Sequence, residues 1–76
     1  MNMKIRNYTG IFTTPCADGL GFMVYGEPYP YRLGEIHLTG RAEPKYVFSF
    51  DATQSLVLSA DILEKITSFI RSLEKV

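Results

Sequence analysis

The last stretch of the chain, residues 60–76, most constrains what the protein can become. Apolar residues fall there at Ile62, Leu63, Ile66, Phe69, Ile70 and Leu73. Recurring steps of three and four line one side of a 3.6-residue helix. Glu64, Lys65, Thr67, Ser68, Arg71, Glu74 and Lys75 fill the other side and suit water. No glycine or proline interrupts the run. Ser59 stands just ahead of it, where a hydroxyl can accept from the free N–H groups of a first turn. Asp61 would lie near the positive end of the helix dipole, with Arg71 and Lys75 near the negative end. Asp61 and Lys65 are spaced for a helical ion pair. A helix of about sixteen residues is roughly 24 Å long. Its apolar stripe needs a partner surface, because a lone helix of this length is marginal in water.

The rest of the chain reads as strands. Residues 4–14 are rich in Ile, Tyr, Phe and Thr and read as a first strand. Gly10 lies inside it, and a bulge there would switch which side chains face inward, so its faces stay unassigned. Asp18-Gly19 marks a turn. Residues 20–25 form a second strand, with Phe22 and Val24 on one face and Met23 and Tyr25 on the other. Pro28 and Pro30 remove donors and fix the backbone, so residues 26–34 read as a loop or an edge. Residues 35–39 form a third strand, with Ile36 and Leu38 inward and Glu35, His37 and Thr39 outward. Residues 45–50 form a fourth, with Tyr46, Phe48 and Phe50 on one face and Val47 and Ser49 on the other. Residues 55–58 read as a brief fifth strand running into the cap.

The expected fold is therefore α+β, in the order β-β-β-β-β-α: an antiparallel sheet of four to five strands with one C-terminal helix across one face. Short turns favour antiparallel neighbours. Phe22, Val24, Ile36, Leu38, Phe48, Phe50, Leu56 and Leu58 would meet the helix stripe. Residues 1–76 form a single domain. The helix covers one face only, so Met23, Tyr25, His37, Val47 and Val57 lie on the other, which is more apolar than a solvated surface requires.

Eight basic and eight acidic residues cancel. Nucleic-acid binding usually rests on a Lys/Arg excess, so this balance disfavours it. One cysteine, Cys16, excludes an internal disulfide and a zinc cage within the chain. It fits a reducing compartment. The first residues show no apolar run of signal-peptide length, and no stretch reaches the roughly 20 apolar residues of a membrane span. The expectation is a cytoplasmic protein with no membrane partner and no cofactor.

Asp18-Gly19-Leu20-Gly21-Phe22 and the Met23-Val24-Tyr25-Gly26 that follows resemble, over about eight residues, the carboxylate-binding loop and open strand of PDZ domains. The resemblance implies capture of a peptide C-terminus by backbone N–H groups. The chain departs from that family in being short and in lacking a recognisable middle helix. The plainer reading is two glycines flanking a hairpin turn. The element order, sheet first and helix last, is similar to that of dimeric coactivator-type single-stranded-DNA-binding folds. No motif accompanies that likeness.

Tyr29-Pro30-Tyr31-Arg32 is the leading candidate for a binding loop. Tyr and Arg favour binding hot spots, and proline lowers the entropy lost on docking. The alternative places the tyrosine rings over the edge of the core. His37 has no evident partner for acid–base work. Cys16 with His37 would make a thiol–imidazole pair if the fold joined them. Asp18, Glu27, Glu35 and Glu43 sit singly and suggest no acid–base couple.

The sequence thus points to a small non-enzymatic protein-interaction module, a homodimer acting by stoichiometric binding. Phage or prophage inhibitors and accessory regulators are similar in size. The partner-binding residues would be Met23, Tyr25, Tyr29, Tyr31, Arg32, His37 and Val47, toward a protein partner of unknown identity. The alternative is a single-stranded nucleic-acid binder using Tyr25, Tyr29, Tyr31, Arg32, Arg41 and Lys45. A thiol- or histidine-dependent enzyme is the remote third.

Overall fold

The computed structural model describes residues 7–53 and 57–75. Four strands are followed by one helix: β1 (Gly10–Pro15), β2 (Gly21–Glu27), β3 (Arg32–Leu38), β4 (Tyr46–Phe50) and α1 (Ala60–Glu74). The sheet is antiparallel throughout, in the order β1-β2-β3-β4. The α+β architecture with a C-terminal helix is the one expected. The predicted fifth strand is not part of it: Ser55 and Leu56 lie outside the described residues, and Val57 and Leu58 belong to no strand.

The turns explain the tight meander. Between β1 and β2 the Asp18 carboxylate accepts from Leu20 N at 2.9 Å. Gly19 takes a φ of +72°, which a side chain would resist. Cys16 N donates to Gly21 O at 2.9 Å and closes the hairpin. Between β2 and β3, Gly26 N donates to Tyr31 O at 3.0 Å. Between β3 and β4 the Thr39 hydroxyl donates to Pro44 O and accepts from Arg41 N.

Several boundaries differ from the expected ones, and β2 runs on to Glu27, two residues into the expected loop. The first strand begins at Gly10 instead of residue 4, and residues 1–6 lie outside the described residues. Gly10 therefore opens a strand instead of bending one. The third strand starts three residues early, at Arg32. A register shift sits opposite Val24 and Tyr25: Tyr25 pairs with Arg32 and Val24 with Gly34, leaving Leu33 as the extra residue of a β-bulge. The bulge turns Leu33 into the core, where it is fully buried.

Val24, Leu33, Ile36, Ile62 and Ile66 form the buried core. Phe22, Phe48, Leu58, Phe69, Ile70 and Leu73 pack against it. Phe22 of the sheet meets Phe69 of α1 edge-on, 5.3 Å between ring centres. This pair fixes which face α1 covers: the face of Phe22, Val24, Ile36 and Phe48. Two expected core members stay largely outside. Phe50 is 56% exposed and Leu38 38%. Leu63 sits at the margin of the helix stripe and is exposed.

Ser59 is the N-cap of α1, and its side chain accepts from Ile62 N at 3.3 Å. Asp61 lies in the first turn and Arg71 in the last, as the dipole favours. Asp61 and Lys65 form no ion pair, unlike the sequence expectation. Ser59→Ala should lower stability by about 1 kcal/mol through loss of the cap, read as an earlier midpoint in urea.

Candidate functional site

The face turned away from α1 is the candidate site, and strand alternation builds it. On β2, Met23 and Tyr25 point opposite to Phe22 and Val24. Register then sets their neighbours. Phe12 of β1 pairs with Tyr25, and Thr14 with Met23. Met23 pairs with Glu35, Glu35 with Ser49, and His37 with Val47. The Phe12 and Tyr25 rings stack at 5.1 Å with 11° between planes. The Tyr25 hydroxyl reaches Met23 Sδ at 3.8 Å. Phe12 is 41% exposed, so this strip of Phe12, Tyr25 and Met23 opens to solvent at the β1 edge; Val47, also 41% exposed, stands apart on β4, across Glu35 and His37 of β3.

A polar chain runs between this strip and Val47. Arg32 Nε donates to Asp51 Oδ2 at 3.0 Å, and Arg32 Nη1 to Glu35 Oε1 at 3.3 Å. His37 Nε2 lies 2.9 Å from Ser49 Oγ and 3.6 Å from Glu35 Oε2. Asp51, just past β4, is buried and also accepts from Thr53 N at 2.9 Å and Thr53 Oγ1 at 2.6 Å. A shallow open depression of about 260 Å³ lies over this chain, between Arg32, Glu35, Ser49 and Asp51. The network leaves this border of the apolar strip already charge-paired.

Asp51 carries a pH signature. The Thr53 hydroxyl and amide, with Arg32 behind them, hold its carboxyl at about 2, below the ordinary 3.8. A group lowered in the folded state binds fewer protons there than in the unfolded chain. Its contribution is thus complete above about 3.8 and is lost as pH falls through about 2. Asp51→Asn should flatten the stability loss across that window, measured by denaturant unfolding at a series of acid pH values.

The seven expected partner residues divide. Met23, Tyr25, His37 and Val47 lie on this one face, and Arg32 borders it from β3, not from the loop where the prolines placed it. Tyr29 and Tyr31 sit at one end of the sheet, exposed in the β2–β3 connection. The set expected for nucleic acid is not gathered. Arg41 and Lys45 lie at the β3–β4 connection, the opposite end from Tyr29 and Tyr31, and Arg32 is neutralised by Asp51 and Glu35.

Cys16 and His37 flank Gly21 in register but form no hydrogen bond with each other. Burial pushes the Cys16 thiol up, and the charges of Asp18 and Glu35 add to it, which is the wrong direction for a nucleophile. The Gly19-Leu20-Gly21 loop is a hairpin turn. Its Leu20 N–H is taken by Asp18, and β2 is paired on both edges, so no open strand stands beside it for a peptide.

Sequence reasoning missed Phe12 and Asp51. The faces of the first strand could not be assigned, although Phe12 shares its parity with Thr14. Asp51 looked like a plain turn residue, and only Thr53 two positions on hinted at an Asx-type turn. No group of three or more potential metal ligands occurs among the described residues. Among the described residues, no helix is long and apolar enough to cross a membrane. No protein-family model, curated protein or solved structure matches this chain.

Proposed function

We propose that the protein is a non-enzymatic interaction module, homodimeric, acting by stoichiometric binding of a protein partner through the face opposite α1. One observation carries the reading: the Phe12–Tyr25 stack stands open on that face, with Met23 beside it. A rigid aromatic pair loses little entropy on docking and offers a large contact area. The Arg32–Glu35 pair at its border supplies a polar rim of the kind that surrounds a hot spot. The single thiol fits a reducing compartment, and we place the protein in the cytoplasm.

Tyr25→Asp puts a charge in the middle of this face without touching the core. In affinity capture from native extract with mass spectrometry, the variant should lose the proteins that the wild-type bait retains. Far-UV circular dichroism should be unchanged. Retention of the same proteins by a folded Tyr25→Asp bait would refute the reading. A salt-sensitive shift of a labelled oligonucleotide, abolished by the same variant, would transfer the face to single-stranded nucleic acid.

A further inference from the structure

The order β1-β2-β3-β4 leaves two edges, and they are unlike. β1 ends on Pro15, which has no donor. β4 is different. Asp51 N donates to Leu33 O, and Thr39 N to Lys45 O, both at 3.0 Å. Antiparallel ladders alternate bonded and non-bonded pairs. Lys45, Val47, Ser49 and Asp51 therefore turn their backbone groups toward β3. The N–H and C=O groups of Tyr46, Phe48 and Phe50 point away from the sheet. Among the described residues nothing bonds to them.

Native edges are commonly guarded by charge, proline, bulges or brevity. β4 reads Tyr-Val-Phe-Ser-Phe, with no charge and no proline. Its register with β3 is unbroken. Phe50 at 56% exposure and Val47 at 41% are the apolar surface a neighbouring strand would cover.

We infer that β4 pairs antiparallel with β4 of a second copy about a twofold axis at Phe48, joining two sheets into one of eight strands. The sequence is complementary to itself in that register. Phe48 faces Phe48 of the other copy, Tyr46 faces Phe50, and Val47 faces Ser49. These aromatic cross-strand pairs add to the backbone bonds. Just outside, Lys45 of one copy stands opposite Asp51 of the other, at both ends. A slip of two residues shortens the pairing and sets Glu43 against Asp51, or leaves Lys45 against Thr53. A net charge of zero means that the two copies do not repel. The homodimer thus forms through the edge, and the two outer faces share one side of a continuous sheet. That arrangement rests on the interaction reading only in offering its partner two copies of the same face.

The test is light scattering of the full chain over a concentration series, with amide hydrogen exchange followed by NMR. Wild type should be a dimer. Amides of Tyr46, Phe48 and Phe50 should exchange about ten-fold or more slowly at high concentration than at low. Phe50→Pro removes an outward donor and no bond to β3. It should give a folded monomer, and Phe50→Lys does the same should the proline variant unfold. Tyr25→Asp should remain a dimer. A monomer at every concentration overturns the inference, as does a dimer whose three amides stay unprotected. A dimer broken by Tyr25→Asp and not by Phe50→Lys also overturns it, while leaving the outer face as a binding surface. An intact edge dimer whose Tyr25→Asp variant keeps every captured protein refutes the other reading alone.

Discussion

Ile66→Ala should destabilise the protein by about 2–5 kcal/mol, the usual range for truncating a buried isoleucine. Ile66 is 3% exposed and sits at the centre of α1's underside, in the cluster with Val24, Leu33 and Ile36. Among the described residues five apolar side chains are buried in this core, so few neighbours can move in to fill the gap. A domain of this size has about 4–11 kcal/mol in total at ordinary per-residue stability. The variant should therefore lie near the edge of unfolding at room temperature. Each kcal/mol lost should lower Tm by about 4–8 °C in a domain this small. Leu63→Ala is the internal comparison. Leu63 belongs to the same periodic pattern but is 41% exposed, and its truncation should cost well under half as much. Equal costs at the two positions would place the helix in a different rotation about its axis.

Gly34→Ala should also be severe, and for a different reason. Gly34 follows the bulge at Leu33 and pairs with both Val24 and Phe50. A Cβ there would overlap the carbonyl oxygen of Ser49 and come within 2.6 Å of Phe48 Cζ. The Phe48 ring occupies the place of the missing side chain. It is held there edge-on to Phe50 at 5.0 Å. Either the β3–β4 ladder opens or the ring leaves the core. Overpacking of this kind costs about 1–3 kcal/mol, and the backbone overlap places Gly34→Ala at the upper end. Thermal unfolding measures it, and loss of the slow-exchanging amides of β3 and β4 would show where the strain is released.

Some of this was legible from residues alone. The stripe Ile62, Ile66, Phe69 and Ile70, with Ser59 before it, specified the helix and its cap, since both depend on local spacing. Alternation assigned the faces of β2 and β4 and separated Met23, Tyr25, His37 and Val47 from Val24, Ile36 and Phe48. Strand β3 was harder. Pro28 and Pro30 argued for a loop up to Gly34, and nothing local announces that a bulge at Leu33 lets the strand begin at Arg32. That single irregularity hid a core residue and placed Arg32 in a loop. The network from Asp51 to His37 was invisible because it joins residues nineteen apart in sequence through one arginine. Phe50 and Leu38 obeyed alternation and still stayed exposed, because alternation assigns a face and not the depth of cover over it.

The central claim is that α1 covers the Phe22 face and leaves the Phe12–Tyr25 face free. Nuclear Overhauser contacts between aromatic and helix protons test it most directly. The Phe22 ring should show strong contacts to Phe69, and the rings of Phe12 and Tyr25 should show contacts to each other and none to α1. Cross-peaks from Tyr25 to Ile66 or Phe69 would contradict it, since they would put the helix on the surface assigned here to a partner.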